Sequence, residues 1–280
     1  MLLTRRFETI GGSRVAYIEK YGKQPVVFVH GFFTSCLLWS KIFKCASNDD
    51  TLHLLALDME GFGDTFAPGH MDMGFERQTE FLAQFLMTKC GMRPVSLVTH
   101  AHGAIAALML AIQKPGLVSD LMLISPVFSD VFPDALSRPF LWTSRFRFAW
   151  ETLFRSGFAH AHVERYLRSN FVQADSEIME IIDDFWRPFA NSASARQRLR
   201  RVFEETDSRL VQAFCRHLDR IKVPVRVVIG RIDQRAGSVR AVSWANRFAS
   251  GKSFVINHAG CFVPLENPED VLALLHTHEM

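Results

Sequence analysis

Four histidines, His30, His100, His102 and His258, and one late cysteine, Cys261, are the residues whose types and positions could do chemistry in this chain. An imidazole titrates near neutrality and can take a proton from a bound substrate, so His102 or His258 is a candidate general base. His100 and His102 flank one residue, Ala101, in a turn from which their side chains diverge. No carboxylate or thiolate stands beside them at ligand spacing, so no metal site is expected, and no cofactor either. The chain has five cysteines, an odd number without a CxxC pair, which predicts neither a disulfide framework nor a zinc ribbon and suits a reducing cytoplasm.

The elements that must position these residues alternate along the first half. Arg5 to Ile10 and Arg14 to Glu19 read as a hairpin through Gly11 and Gly12, and Pro25 to His30 reads as a buried strand. Further strands are expected at Leu52 to Asp58, Val95 to Thr99 and Leu121 to Ser125. Helical patterns at Glu76 to Cys90 and His102 to Gln113 separate them, the second stopped by Lys114-Pro115-Gly116. Strands spaced by helices of this length require crossovers and a mostly parallel sheet. From Val127 to Asp219 no strand pattern is visible, only helical stretches rich in Phe, Trp and Arg. Strands return at Val223 to Gly230 and Ser253 to Asn257, with helices near Val239 to Phe248 and Pro268 to His276. The reading is therefore α/β: an eight-stranded, mostly parallel sheet flanked by helices, formed by residues 1–126 and 220–280, with 127–219 inserted as a helical cap.

Bulk properties narrow the partners. Apolar residues make up 48 % and charged residues 22 %, with 25 Phe, which describes a chain with a substantial core. A net charge of +3 is too mild to argue for nucleic acid. No run of ~18 apolar residues occurs and the N-terminus has no apolar leader pattern, so no membrane span or secretion is expected. Nothing sets an oligomeric state.

Four segments, in order, resemble the α/β-hydrolase superfamily. Val27-Phe28-Val29-His30-Gly31-Phe32-Phe33 is similar to the strand and turn that supply one amide of an oxyanion hole, here Phe32. Asp58-Met59-Glu60-Gly61-Phe62-Gly63-Asp64-Thr65 resembles a structural loop of the family, with no chemistry assigned. Val95 to Ala106 resembles a nucleophile elbow, in which His102 N–H at a helix start would give the second oxyanion amide. Val223 to Asp233 and Asn257 to Pro268 resemble the two loops that carry the acid and the base. The resemblance thus implies Asp233 at the acid position, Ala101 where the nucleophile belongs and Cys261 where the base belongs.

A methyl at Ala101 cannot attack, so ordinary serine-ester hydrolysis is not expected. Cys261 could serve as nucleophile, but a nearby carboxylate raises a thiol pKa and opposes the thiolate. His258, three residues before Cys261, could swing in as a substitute base. Cofactor-free dioxygenases with a similar His-flanked elbow keep a histidine where Cys261 stands. Three functions follow: a non-hydrolytic enzyme of lyase, cyclase, isomerase or cofactor-free oxygenase type; a non-catalytic protein binding a ligand or protein; or a Ser-to-Ala variant of an ester or C–C bond hydrolase, which leaves Cys261 unexplained. For the first, a hydrophobic small molecule would lie beneath the cap against His30, Phe32, Phe33, Phe140, Trp142, Trp150 and Phe154. A closed apolar cavity would favour the enzyme, and a filled one the binding protein.

Overall fold

The computed structural model describes residues 3–127, 132–233 and 237–277. Eight strands, β1 (Arg6–Ile10), β2 (Ser13–Lys20), β3 (Gln24–Val29), β4 (Leu52–Leu57), β5 (Val95–His100), β6 (Val118–Ile124), β7 (Val225–Gly230) and β8 (Gly251–Ile256), form one sheet in the order β1-β2-β4-β3-β5-β6-β7-β8. Only β1–β2 and β2–β4 are antiparallel, and every other neighbouring pair is parallel. The central strands β5 and β7 are buried at every position because helices cover both faces, which is why they read as unbroken apolar runs. At the edges, β1 and β8 carry exposed positions.

Among the described residues the helices are α1 (Ser40–Cys45), α2 (Phe75–Cys90), α3 (Gly103–Gln113), α4 (Arg138–Thr143), α5 (Arg147–Arg155), α6 (Phe158–Ser169), α7 (Ser176–Asn191), α8 (Ala193–Glu204), α9 (Ser208–Phe214), α10 (Gly237–Ala245), α11 (Val263–Glu266) and α12 (Pro268–His276). The short α1 and α11 had no sequence expectation, since so few residues show no periodicity. Helix α3 has no polar face, and its residues Gly103 to Ala111 are all buried. It sits so close to the sheet that a Cβ on Gly103 would lie 2.4 Å from the His30 carbonyl oxygen, which only glycine permits.

Helices α4 to α9 stand between β6 and β7 and are amphipathic, burying Ile181, Ile182, Phe185 and Phe189 of α7 and Leu199, Val202 and Phe203 of α8. Asp175 and Ser192 cap these two helices by accepting from the N–H groups of Ile178 and Ala195. Arg5 joins this layer to the core: its guanidinium bonds Asp184 of α7 and lies 3.4 Å from Asp64 and 3.8 Å from Asp58. Asp58 is fully buried, and its carboxylate accepts from Cys36 N–H at 2.6 Å and Asp64 N–H at 2.8 Å, so the loop after β4 is a structural tie.

Candidate functional site at the strand-to-helix corner

The chain leaves β5 into α3 through Ala101, whose φ of +48° lies in the left-handed region that disfavours a side chain. Three hydrogen bonds hold it there. Ala101 N–H donates to Ile124 O at 3.1 Å, and its carbonyl accepts from Ala104 N–H at 3.2 Å and Val127 N–H at 3.3 Å. The corner is thus strained and tipped with a methyl. His102 is the residue preceding α3. Among the described residues, the N–H groups of Phe32 and His102 meet no acceptor.

The two histidines of the elbow point to different places. The His100 ring turns to the loop after β8: its Nε2 lies 3.1 Å from Cys261 O and 3.5 Å from Cys261 Sγ, and it stacks on Phe262 with centroids 5.1 Å apart. That loop is clamped by the residues that follow α6. Cys261 N–H donates to Asn170 O at 2.9 Å, and Phe171 stacks on Phe262 at 4.4 Å. Asp233 is buried near this loop, its N–H donating to Gly230 O at 3.1 Å. Glu266, which no sequence reading singled out, ties the same loop to the segment after α6 by accepting from Gly260 N–H at 2.8 Å and Val172 N–H at 2.6 Å. Burial, with the Asp233 charge adding to it, pushes the Glu266 carboxyl above its ordinary value.

His102 turns instead towards Phe32 and Asp134. It stacks on Phe32 with centroids 4.1 Å apart and planes 8° from parallel, and its Nε2 lies 3.6 Å from the buried Asp134 Oδ1. Among the described residues neither ring nitrogen of His102 completes a hydrogen bond. Burial opposes the Asp134 charge, but His102 and the hydroxyl and N–H of Ser137 hold its carboxyl well below the usual carboxylate range. Asp134 was invisible as a site residue because it follows the last strand of the first half inside a segment without periodicity. His30 is a structural brace: Nδ1–H donates to Gly31 O at 2.7 Å, and Nε2 accepts from Met59 N–H at 2.9 Å. Burial lowers its pKa and keeps it neutral.

Little room is left beside the corner. The cavity lined by His30, Gly31, Phe32, Phe62, Phe75 and His102 measures about 20 Å³, against the ~300 Å³ or more of ordinary ligand sites and the ~10–15 Å³ that one water needs. Aromatic rings fill the rest. Phe203 of α8 lies 5.0 Å from Phe32, 5.6 Å from Phe33 and 5.4 Å from Phe140, and Phe33 lies 4.5 Å from Phe140. Phe140 and Trp150 are fully buried, 5.9 Å apart, and Phe154 is half-buried on Trp150 and Trp186. Trp142, expected with them, is 68 % exposed on the outer side of α4, because a helix turns residues two apart to opposite faces. Phe203 was overlooked although Leu199 and Phe203 show the i, i+4 spacing of an inward face.

His258 lies elsewhere. It is exposed with φ +59° and lines a surface recess of about 760 Å³ together with Lys41, Asp175, Leu265 and Glu266. Among the described residues no three His, Cys, Asp or Glu side chains could hold a metal ion together, and no helix is long and apolar enough to cross a membrane.

Known proteins are similar in part or throughout. A probable lysophospholipase, BODYGUARD 3 of Arabidopsis thaliana, is 31 % identical over 111 residues, which is 39 % of this chain and 22 % of the relative. A haloalkane dehalogenase of Agrobacterium fabrum is 28 % identical over 130 residues, 46 % of this chain and 41 % of the relative. The chain thus matches under half the length of either relative. Over 98 % of this chain, the fold superposes on an alpha/beta hydrolase fold protein from Burkholderia ambifaria with a TM-score of 0.81 at 21 % identity, covering 97 % of that chain. A loop variant of a Bradyrhizobium elkanii haloalkane dehalogenase gives 0.79 at 21 % identity, with 98 % of this chain and 95 % of that one covered. Residues 24–268 match the model of the alpha/beta hydrolase fold family, and this chain belongs to that family.

Proposed function

We propose that this chain is a non-hydrolytic member of its family that acts by binding and not by turning over an ester. The observation that carries this reading is the corner itself. Ala101 offers a methyl where attack would begin, Cys261 stands in place of an imidazole, and Phe33, Phe140 and Phe203 occupy the space a substrate would need. Five cysteines without a disulfide among them are consistent with work in a reducing cytoplasm.

One observation favours a second reading, a general-base enzyme acting on a hydrophobic small molecule. His102 lines the residual cavity beside the buried Asp134, an arrangement that orients an imidazole. It requires the Phe203 ring to move.

Hydrolysis of short p-nitrophenyl esters tests the first reading. The unaltered protein is expected to match buffer, and Ala101→Ser with Cys261→His is expected to gain less than about tenfold, since restored groups without a substrate space do little. A gain of more than about a hundredfold in the double variant would show an accessible site and overturn the reading. Mass spectrometry of the purified protein under native conditions supplies the other arm: a small molecule released from the wild type and absent from His102→Ala would favour the second.

A further inference from the structure

The segment from Ala135 to Trp150 contains Arg138, Arg145 and Arg147 and no acidic residue. Its apolar side chains are divided between two faces. Phe140 and Trp150 point inward to the aromatic layer over the corner, whereas Trp142, Phe146 and Phe148 face solvent at 68 %, 56 % and 86 % exposure. Trp142 and Phe146 lie with ring centroids 6.0 Å apart. From Arg145 to Phe148, cation and ring alternate and all four residues are exposed. Among the described residues neither Arg145 nor Arg147 makes an ion pair, and Arg138 donates through Nε to Pro133 O at 3.0 Å, leaving its charge unneutralised.

Three large rings in water gain free energy by leaving it, and their spacing by arginines decides what they enter. A folded protein partner would need carboxylates set between aromatic pockets. A lipid headgroup layer needs no such register, because rings settle at the boundary of the acyl chains while guanidinium groups stay at phosphate level. We propose that the outer face of α4 and the start of α5 docks on an anionic lipid surface, with Trp142, Phe146 and Phe148 as the inserted groups and Arg138, Arg145 and Arg147 as the phosphate contacts. The docking is peripheral and reversible, and it is independent of whether the corner catalyses. Helix α4 then touches lipid with Trp142 and the oxyanion turn with Phe140, which packs on Phe33 at 4.5 Å.

Co-sedimentation with vesicles tests this. The full chain is expected to bind phosphatidylcholine vesicles containing roughly one-third phosphatidylserine, to bind pure phosphatidylcholine far less, and to be released as salt rises from about 0.1 M to about 0.5 M. Removing Arg145 or Arg147 as alanine variants should weaken binding about fivefold each. Phe146→Ala with Phe148→Ala should weaken it by more than about tenfold, with far-ultraviolet circular dichroism and thermal midpoint unchanged because both rings are exposed. Trp142 supplies an optical arm: brominated lipids should quench protein fluorescence in the wild type and not in Trp142→Phe. No binding to the anionic vesicles, or equal binding by the folded Phe146, Phe148 variant, overturns the proposal. So does a concentration-dependent dimer in sedimentation velocity that the same variant abolishes, since the face would then belong to a second copy.

Discussion

Replacing Phe203 by alanine tests whether the corner is closed by packing. The ring is 1 % exposed and lies within 5.0 to 5.6 Å of Phe32, Phe33 and Phe140, so its removal strips contacts from the turn after β3 and from α4 together. Phenylalanine-to-alanine changes in such surroundings cost about 3–5 kcal/mol, the lost transfer free energy plus a cavity the neighbours only partly fill. At roughly 2 °C per kcal/mol for a chain of this length, the thermal midpoint should fall by about 6–10 °C. The void would join the existing cavity of about 20 Å³. It would be lined by Phe32, Phe33 and Phe140, and so dry and able to take a small aromatic molecule. The assay is differential scanning fluorimetry with and without saturating benzene or iodobenzene. The variant should recover several degrees and the wild type almost none. A loss below about 1 kcal/mol, or an equal gain by both proteins, would mean that Phe203 does not fill the space, and the binding reading would lose its main support.

Three further outcomes follow from named contacts. The Asp134 carboxyl is held below its ordinary value in the folded protein, so it contributes stability that is present above the unfolded value near pH 4 and lost as pH falls through the folded one. Asp134→Asn should be less stable at pH 7 and should flatten the urea midpoint over the acid range. Glu266 has the opposite sign, because its raised pKa makes the charged form the less favourable one in the fold. Its contribution is full below the unfolded value and falls as pH rises through the folded one, so Glu266→Gln should remove a decline that begins near pH 4.5 in the same titration. Arg5→Ala leaves Asp58 buried without its cation and cuts the tie to Asp184 of α7, which then keeps, among the described residues, only Arg187; this should cost about 3 kcal/mol and speed limited proteolysis between α6 and α8.

The order of strands and helices was legible because each parallel strand is covered on both faces and reads as a short apolar run, as Val95–His100 and Val225–Gly230 do. Boundaries moved by a few residues: the strand expected at Ser253 runs over Gly251–Ile256, and the helix expected at Val239 runs over Gly237–Ala245. An edge strand and a surface helix have too few buried positions to mark their ends. The turn at Ala101 was legible as well, since small residues such as Gly103 are required where helix and strand approach most closely.

What the sequence by itself determined is local: which backbone turns tightly and which residue types stand at the turn, a methyl at Ala101 between two histidines among them. Only the tertiary structure decided what each side chain meets. Two histidines one residue apart diverged, His100 to Cys261 and His102 to Asp134, because the corner between them reverses the chain. Two aromatics of one helix parted, Phe140 inward and Trp142 to solvent, and Phe203 of α8, far along the chain, came to pack on Phe140 and Phe32. Such meetings depend on contacts between segments far apart along the chain, and periodicity within one segment carries no record of its partner.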